Sequence, residues 1–443
     1  MNSFFCKNIL LNDGWQENIR IELDSAGLIS AISSQEFAAK QDKSLQCAIP
    51  MMPNCHSHVF QRTMAGLTEY KTSTNDSFWS WRKLMYQYAN QIDATQLYHI
   101  ARYCYEEMLQ AGYSSVCEFH YLHRDLKEPE NTLRMSQAII DAAHDARITL
   151  TLLPVLYTQA HCDGTELSPQ QQRFKLSVDE YIQLYRTLES KLHHGQNIGL
   201  CFHSLRAVSL AQMREVLAEL YSGQPVHIHI SEQLAEVEQI LTATGKRPVE
   251  LLYDHFDVNE NWCLIHATHL LDHEIKLIAQ SKAVAGICPL TEANLGDGIF
   301  PLEKFIEING RFAIGSDSHI LINPMQELQL LEYSQRLQLQ KRVIASSQQS
   351  QHAGTFLWNQ STSAGAQACQ QALLGIAVGQ QANWISLDSQ HPLLTDLNGP
   401  LSLDTAIFAN NHLNKHIYLK GEIKMNMAND TAENYKKTLN SLR

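Results

Sequence analysis

A chain of 443 residues with 44% hydrophobic and 18% charged side chains has the balance of a globular protein, large enough for one big barrel or two domains. A net charge of −12 without any Lys/Arg-rich block argues against a nucleic-acid or anionic-membrane surface and favours a small-molecule enzyme. The ten cysteines are scattered, with no Cys-x-x-Cys pair, so reduced thiols are expected rather than a disulfide framework or a Cys-type zinc site.

The opening Met1-Asn2-Ser3-Phe4-Phe5-Cys6-Lys7-Asn8 shows no signal-peptide pattern, and the most apolar stretch, 148–157, is too short for a bilayer. A cytoplasmic protein is the expectation. Up to about Ala48, short apolar runs (Asn8-Ile9-Leu10-Leu11, Ile19-Arg20-Ile21-Glu22-Leu23) alternate with turn signals such as Asn12-Asp13-Gly14, which is antiparallel β material.

From Ile49, β-rich apolar runs recur between longer segments of helical periodicity. The first four runs are Cys47–Met52, Ser114–Phe119, Ile148–Leu153 and Ile198–Phe202. The next four are Val226–Ile230, Trp262–Ile265, Ala283–Ile287 and Arg311–Gly315. Eight strands alternating with helices predict a (β/α)8 barrel over residues 49–375. Beyond it, Met325–Ile344 and Ala366–Val378 read as helices, while Trp384–Asp388, Ala406–Phe408 and His416–Leu419 read as strands. The termini, 1–48 with 376–443, are expected to join in a small β-sandwich domain. The polar last dozen residues are expected at the periphery.

In a barrel of this kind the active site stands at the C-terminal strand ends. His56 and His58 are two apart, so on a strand both imidazoles face one point, as a transition metal requires. Strand two ends at His120-Tyr121 and strand four at His203-Ser204-Leu205-Arg206. Strand five carries His227 and His229 before Ser231-Glu232, strand six ends at His266, and strand eight at Ser316-Asp317-Ser318-His319. Histidines packed at random in a core would not collect at one end of successive strands.

Asn54-Cys55-His56-Ser57-His58, His229-Ile230-Ser231-Glu232, Ile265-His266-Ala267-Thr268-His269 and Gly315-Ser316-Asp317 resemble the amidohydrolase superfamily in its deaminase branch. Within that branch, Met52 to Arg62 and His203-Ser204-Leu205-Arg206-Ala207-Val208 look like the formimidoylglutamate deiminases. That resemblance implies hydrolysis of N-formimidoyl-L-glutamate to N-formyl-L-glutamate and ammonia in histidine breakdown. It also implies a single zinc held by His56, His58, His229 and Asp317. Two-metal members carry a carboxylated lysine at the end of strand four, where this chain has His203.

On the same resemblance, Glu232 is the general acid–base for the leaving nitrogen and His266 hydrogen-bonds the reacting centre. Asp317 is either a proton acceptor or a ligand alone. A dicarboxylate substrate calls for guanidinium groups, which Arg206 and Arg82 supply, with Gln61, Tyr121 and His203 beside them. Other roles are open to some of these residues. Ser231-Glu232-Gln233 also looks like a helix start, Arg82 could be a surface charge, and His227 and His269 read better as packed or supporting histidines.

Met51, Cys55 and Asn383 depart from the family pattern without touching the metal set. Two alternatives stand beside this reading: a deaminase of amino-heterocycles, and a non-catalytic barrel scaffold. The sequence is silent on oligomeric state, for which a homodimer is one possibility.

Overall fold

The computed structural model describes residues 2–70, 78–371, 375–388, 390–410, 412–424 and 426–443. Two sheets organise it. The first joins both ends of the chain. Its strands from the N-terminal part are Ser3–Leu11, Gly14–Leu23, Ile29–Ser34 and Lys43–Pro50, and those from the C-terminal part are Trp384–Leu387, Asn414–Leu419 and Glu422–Ile423. Lys43–Pro50 lies at the junction, parallel to Ser3–Leu11 on one side and antiparallel to Trp384–Leu387 on the other. These strands form the small terminal β domain as one continuous seven-stranded sheet. Its inner face closes over its own aromatic core, with Phe4 edge-on to Trp384 at 4.8 Å and to Tyr418 at 5.5 Å.

The second sheet is the parallel barrel. Its strands in order are Met52–Ser57, Tyr113–His120, Thr149–Leu156, the pair Asn197–Ile198 and Leu200–Phe202, Val226–Ile230, Trp262–His266, Val284–Ile287 and Arg311–Ile314. The fourth strand breaks at Gly199, where a Cβ would meet the Pro225 carbonyl at 2.7 Å and Leu153 at 2.8 Å. A bulkier residue there would push the third and fifth strands apart. Closure of the eighth strand on the first is made at the functional end. His58 N–H donates to the Asp317 carbonyl at 3.1 Å, and Asp317 N–H donates to the His56 carbonyl at 3.0 Å. The opposite end is plugged by the C-terminal part of helix Ala353–Ala368, whose Gly365 sits against Pro53.

Several sequence expectations change. The run Cys47–Met52 is not the first barrel strand; it divides between the end of the terminal sheet at Pro50 and a barrel strand that starts at Met52. This strand, Met52–Ser57, carries His56, and all six of its residues are buried despite their polarity. Asn54 accepts the Ser316 N–H at 3.1 Å and donates to the Ser316 hydroxyl at 2.6 Å, which makes burial of a polar strand affordable.

Ala406–Phe408 is the end of a helix, Gly399–Phe408, started by Asn398 accepting the Leu401 N–H at 3.1 Å. The helix expected over Met325–Ile344 is found at Pro324–Leu339, but the one expected over Ala366–Val378 is not there: the helix is Ala353–Ala368, and the described residues 369–371 and 375–378 are not helical. Part of the latter expectation, residues 372–374, lies outside the described residues. The polar C-terminus is a helix, Asn429–Leu442, docked on helix Ala94–Ala111. Tyr435 stacks on Tyr103 at 4.0 Å and the Thr431 hydroxyl donates to Glu106 at 3.0 Å. Among the described residues, no helix is long and apolar enough to cross a membrane.

Candidate active site

The strands leave the barrel by sharp turns. Ser231, His266, Ala267 and Asp317 all have positive φ (54°, 69°, 47° and 43°), a conformation that L side chains adopt at a cost of about 1–3 kcal/mol each. Local hydrogen bonds hold them there. Glu236 accepts the N–H groups of Ser231 (3.2 Å) and Glu232 (3.0 Å), and Ala267 N–H donates to the Ile230 carbonyl at 3.1 Å. Glu232 therefore lies in the turn, and the helix that follows is Leu234–Thr244.

At the centre, three buried imidazoles and one carboxylate converge. His58 Nδ1 lies 2.8 Å from the Phe119 carbonyl and His229 Nδ1 lies 3.0 Å from the His203 carbonyl. A carbonyl only accepts, so each Nδ1 carries the proton and each Nε2 presents a bare lone pair to the centre. His56 Nε2 is 3.1 Å from His229 Nε2, and Asp317 Oδ1 is 3.4 Å from the Nε2 atoms of both His56 and His58. Tetrahedral ligands at the zinc–nitrogen distance would stand about 3.3 Å apart. Burial and neighbouring histidines hold His56 and His229 well below the usual histidine range, and burial lowers His58, so all three are neutral donors. Converging lone pairs beside a carboxylate repel one another unless a cation lies among them. The residues fit a divalent metal.

Beside this cluster stands an acid–base group. His266 Nδ1 is 3.2 Å from Glu292 Oε1, while its Nε2 is 3.8 Å from Glu232 and 3.9 Å from Asp317. Burial opposes its charge, but Glu232, Glu292 and Asp317 together raise its pKa to about 10. The Glu232 carboxyl is raised by burial and by the negative charge of Asp317 and Glu292, against the pull of His266.

One pocket collects His58, Gln61, Arg82, Tyr121, His203, Arg206, His229, Glu232, His266 and Asp317, with His56 buried beneath. Gln61 donates to the Tyr121 hydroxyl at 3.0 Å, and Arg206 donates through Nη1 to the Ala160 carbonyl at 2.6 Å. Arg82, from helix Phe78–Ala89, lines this wall as well and is not a remote surface charge. Other histidines point elsewhere. His227 is hydrogen-bonded with the Ala368 carbonyl at 2.9 Å and His269 with the Asp297 carbonyl at 2.9 Å, while His319 bridges Ser57 and Ser316.

Three residues went unmarked in the sequence. Glu236 was findable, one helical turn after Glu232. Tyr157, directly after the third strand, satisfies the same strand-end rule that singled out Tyr121. Glu292 sits in the helix after the seventh strand and carries no spacing signal.

A parallel eight-stranded barrel with an imidazole–carboxylate cluster at its C-terminal rim defines a metal-dependent hydrolase. Residues 48–423 match the model of the amidohydrolase family, and the chain belongs to that family. It is 42% identical over 412 residues to the formimidoylglutamate deiminase of Pseudomonas aeruginosa, covering 92% of this chain and 91% of that protein. Its fold matches an amidohydrolase from Brucella melitensis with a TM-score of 0.95, at 37% identity over 100% of both chains. An adenosine deaminase from Xanthomonas campestris, solved with bound zinc, shares the fold at a TM-score of 0.80 and 18% identity, covering 100% of this chain and 98% of that one.

Proposed function

We propose that this protein hydrolyses N-formimidoyl-L-glutamate to N-formyl-L-glutamate and ammonia, a step of histidine degradation. One observation carries the reading: in a chain this similar to a formimidoylglutamate deiminase, Arg82 and Arg206 line the same pocket as the histidine–aspartate cluster. A substrate with two carboxylates and an electrophilic formimidoyl carbon needs both features in one place. The ten cysteines are all free thiols, which suits the cytoplasm.

The metal assigned here is one zinc, on His56, His58, His229 and Asp317. When bound, it supplies Lewis acidity and lowers the pKa of water from about 15.7 toward ~7. The protein's own groups do the rest. Arg206 and Arg82 grip the carboxylates and set the formimidoyl carbon at the cluster, with Gln61, Tyr121 and His203 closing around it. Asp317, with one oxygen toward the imidazoles and the other toward His266, takes the proton of the attacking water. His266 presents its Nε2–H to the charge that develops at the tetrahedral carbon. Glu232, whose carboxyl burial pushes upward, delivers a proton to the departing nitrogen as the C–N bond breaks.

The test follows ammonia release by the metal-loaded enzyme from formimidoylglutamate, with adenosine, guanine and cytosine in parallel. Turnover of formimidoylglutamate is expected. If a nucleobase or nucleoside is consumed and formimidoylglutamate is not, the substrate assignment falls.

A further inference from the structure

Two guanidiniums facing one small pocket repel each other, and each long side chain loses rotamer entropy on being fixed. Something must hold them. Behind the pocket wall, Tyr157 is 1% exposed, and its ring stands edge-on to His203 at 4.4 Å. Its hydroxyl oxygen accepts from Arg82 Nη2 at 3.2 Å and from Gln171 Nε2 at 2.9 Å, and the Arg206 guanidinium acts on it electrostatically. Gln171 is itself anchored, since its Oε1 receives the Ser168 N–H at 3.0 Å. Arg206 is tied at its other side to the Ala160 carbonyl.

Two donors fill both lone pairs of the phenol oxygen, and a second guanidinium charge faces it, which is more than a tyrosine needs for packing alone. The two arginines also draw the hydroxyl toward the anion, lowering its pKa against the upward push of burial. A phenylalanine would fill the same volume but leave these donors facing hydrocarbon.

We propose that Tyr157 is a positioning residue that sets the separation and aim of Arg82 and Arg206, and so makes the pocket select two carboxylates over one. This rests on the dicarboxylate reading of the pocket. Tyr157 lies behind the lining and does not touch the reacting carbon, so its effect falls on recognition rather than on chemistry.

The experiment compares metal-loaded wild type with Tyr157→Phe. Binding of glutarate and of butyrate is measured by calorimetry, and kcat and KM are measured with formimidoylglutamate. Wild type should prefer glutarate. In the variant that preference should shrink at least roughly fivefold, and KM should rise about tenfold with kcat within about twofold. A purely structural role would lower thermal stability or metal content without changing the glutarate-to-butyrate ratio. An unchanged ratio, or a wild type without glutarate preference, overturns the proposal.

The two readings separate cleanly. Loss of the preference in Tyr157→Phe, with no wild-type turnover of formimidoylglutamate, upholds the positioning role and refutes the substrate. Turnover with an unchanged ratio does the reverse. Should Tyr157→Phe fail to fold, Gln171→Met removes the tyrosine's other tether without altering either arginine. It should move the ratio in the same direction, and an unmoved ratio in a folded Gln171→Met counts against the proposal.

Discussion

Glu232→Gln separates chemistry from architecture at this site. The backbone at Glu232 is fixed independently of its own side chain, because the Glu236 carboxylate receives the Ser231 and Glu232 N–H groups at 3.2 and 3.0 Å. The near-isosteric amide should therefore occupy the same place. It cannot give a proton to the leaving nitrogen, and losses of general acid–base catalysis run to about 10²–10⁴-fold in rate. That range corresponds to roughly 3–5 kcal/mol of transition-state stabilisation. Stability should move the other way or not at all. Glu232 is crowded by Asp317, Glu292 and Glu236, whose charges and burial disfavour its ionised form, so a neutral amide relieves repulsion. The assay is steady-state ammonia release beside metal content and a thermal melt. A folded, metal-loaded variant with kcat within about threefold of wild type would remove Glu232 from the proton-transfer role.

Chelation should abolish activity and zinc should restore it, with about one metal per chain in the purified protein; a stoichiometry near two refutes the single cluster. Arg206→Ala should lower kcat/KM for formimidoylglutamate at least about tenfold, since hydrogen bonds to charged groups contribute roughly 1.5–3 kcal/mol. Its metal content should stay intact and the loss should shrink for a substrate analogue with one carboxylate; an equal loss for both would place Arg206 elsewhere. His123 provides a pH test away from the metal. Burial lowers its pKa from 6.5 to about 4, outweighing its hydrogen bond with the Val155 carbonyl at 2.8 Å. Between those values the unfolded chain binds the extra proton, so stability falls as pH falls, by about 3 kcal/mol in all. Urea unfolding at pH 7, 5 and 4.5 should show a shallower pH slope for His123→Asn, and equal slopes would exclude His123 as a source of the acid sensitivity.

Most of the barrel was legible because each strand buries both faces and reads as a short apolar run of β-formers. The candidate site residues were legible where chemistry demands a local spacing. His56 and His58 share a strand face because they are two apart, and Glu232 follows His229 within one turn. The strand-end rule brought Tyr121, His203, Arg206, His266 and Asp317 to the same rim before any coordinate was known, and the pocket contains them all.

What stayed hidden depended on partners distant in the chain. Met52–Ser57 is a strand despite its polarity because Ser316, on the far side of the closure, satisfies Asn54. Ala406–Phe408 has the composition of a strand but forms a helix because Asn398 starts one ahead of it. Glu292 meets His266 beside a turn of positive φ, and Tyr157 meets Arg82 from 75 residues away, and neither leaves a mark in periodicity. Periodicity states which face of an element a side chain occupies. Which groups meet across faces is decided by loop closure and by the need to pair every buried polar atom, and both are properties of the folded chain as a whole.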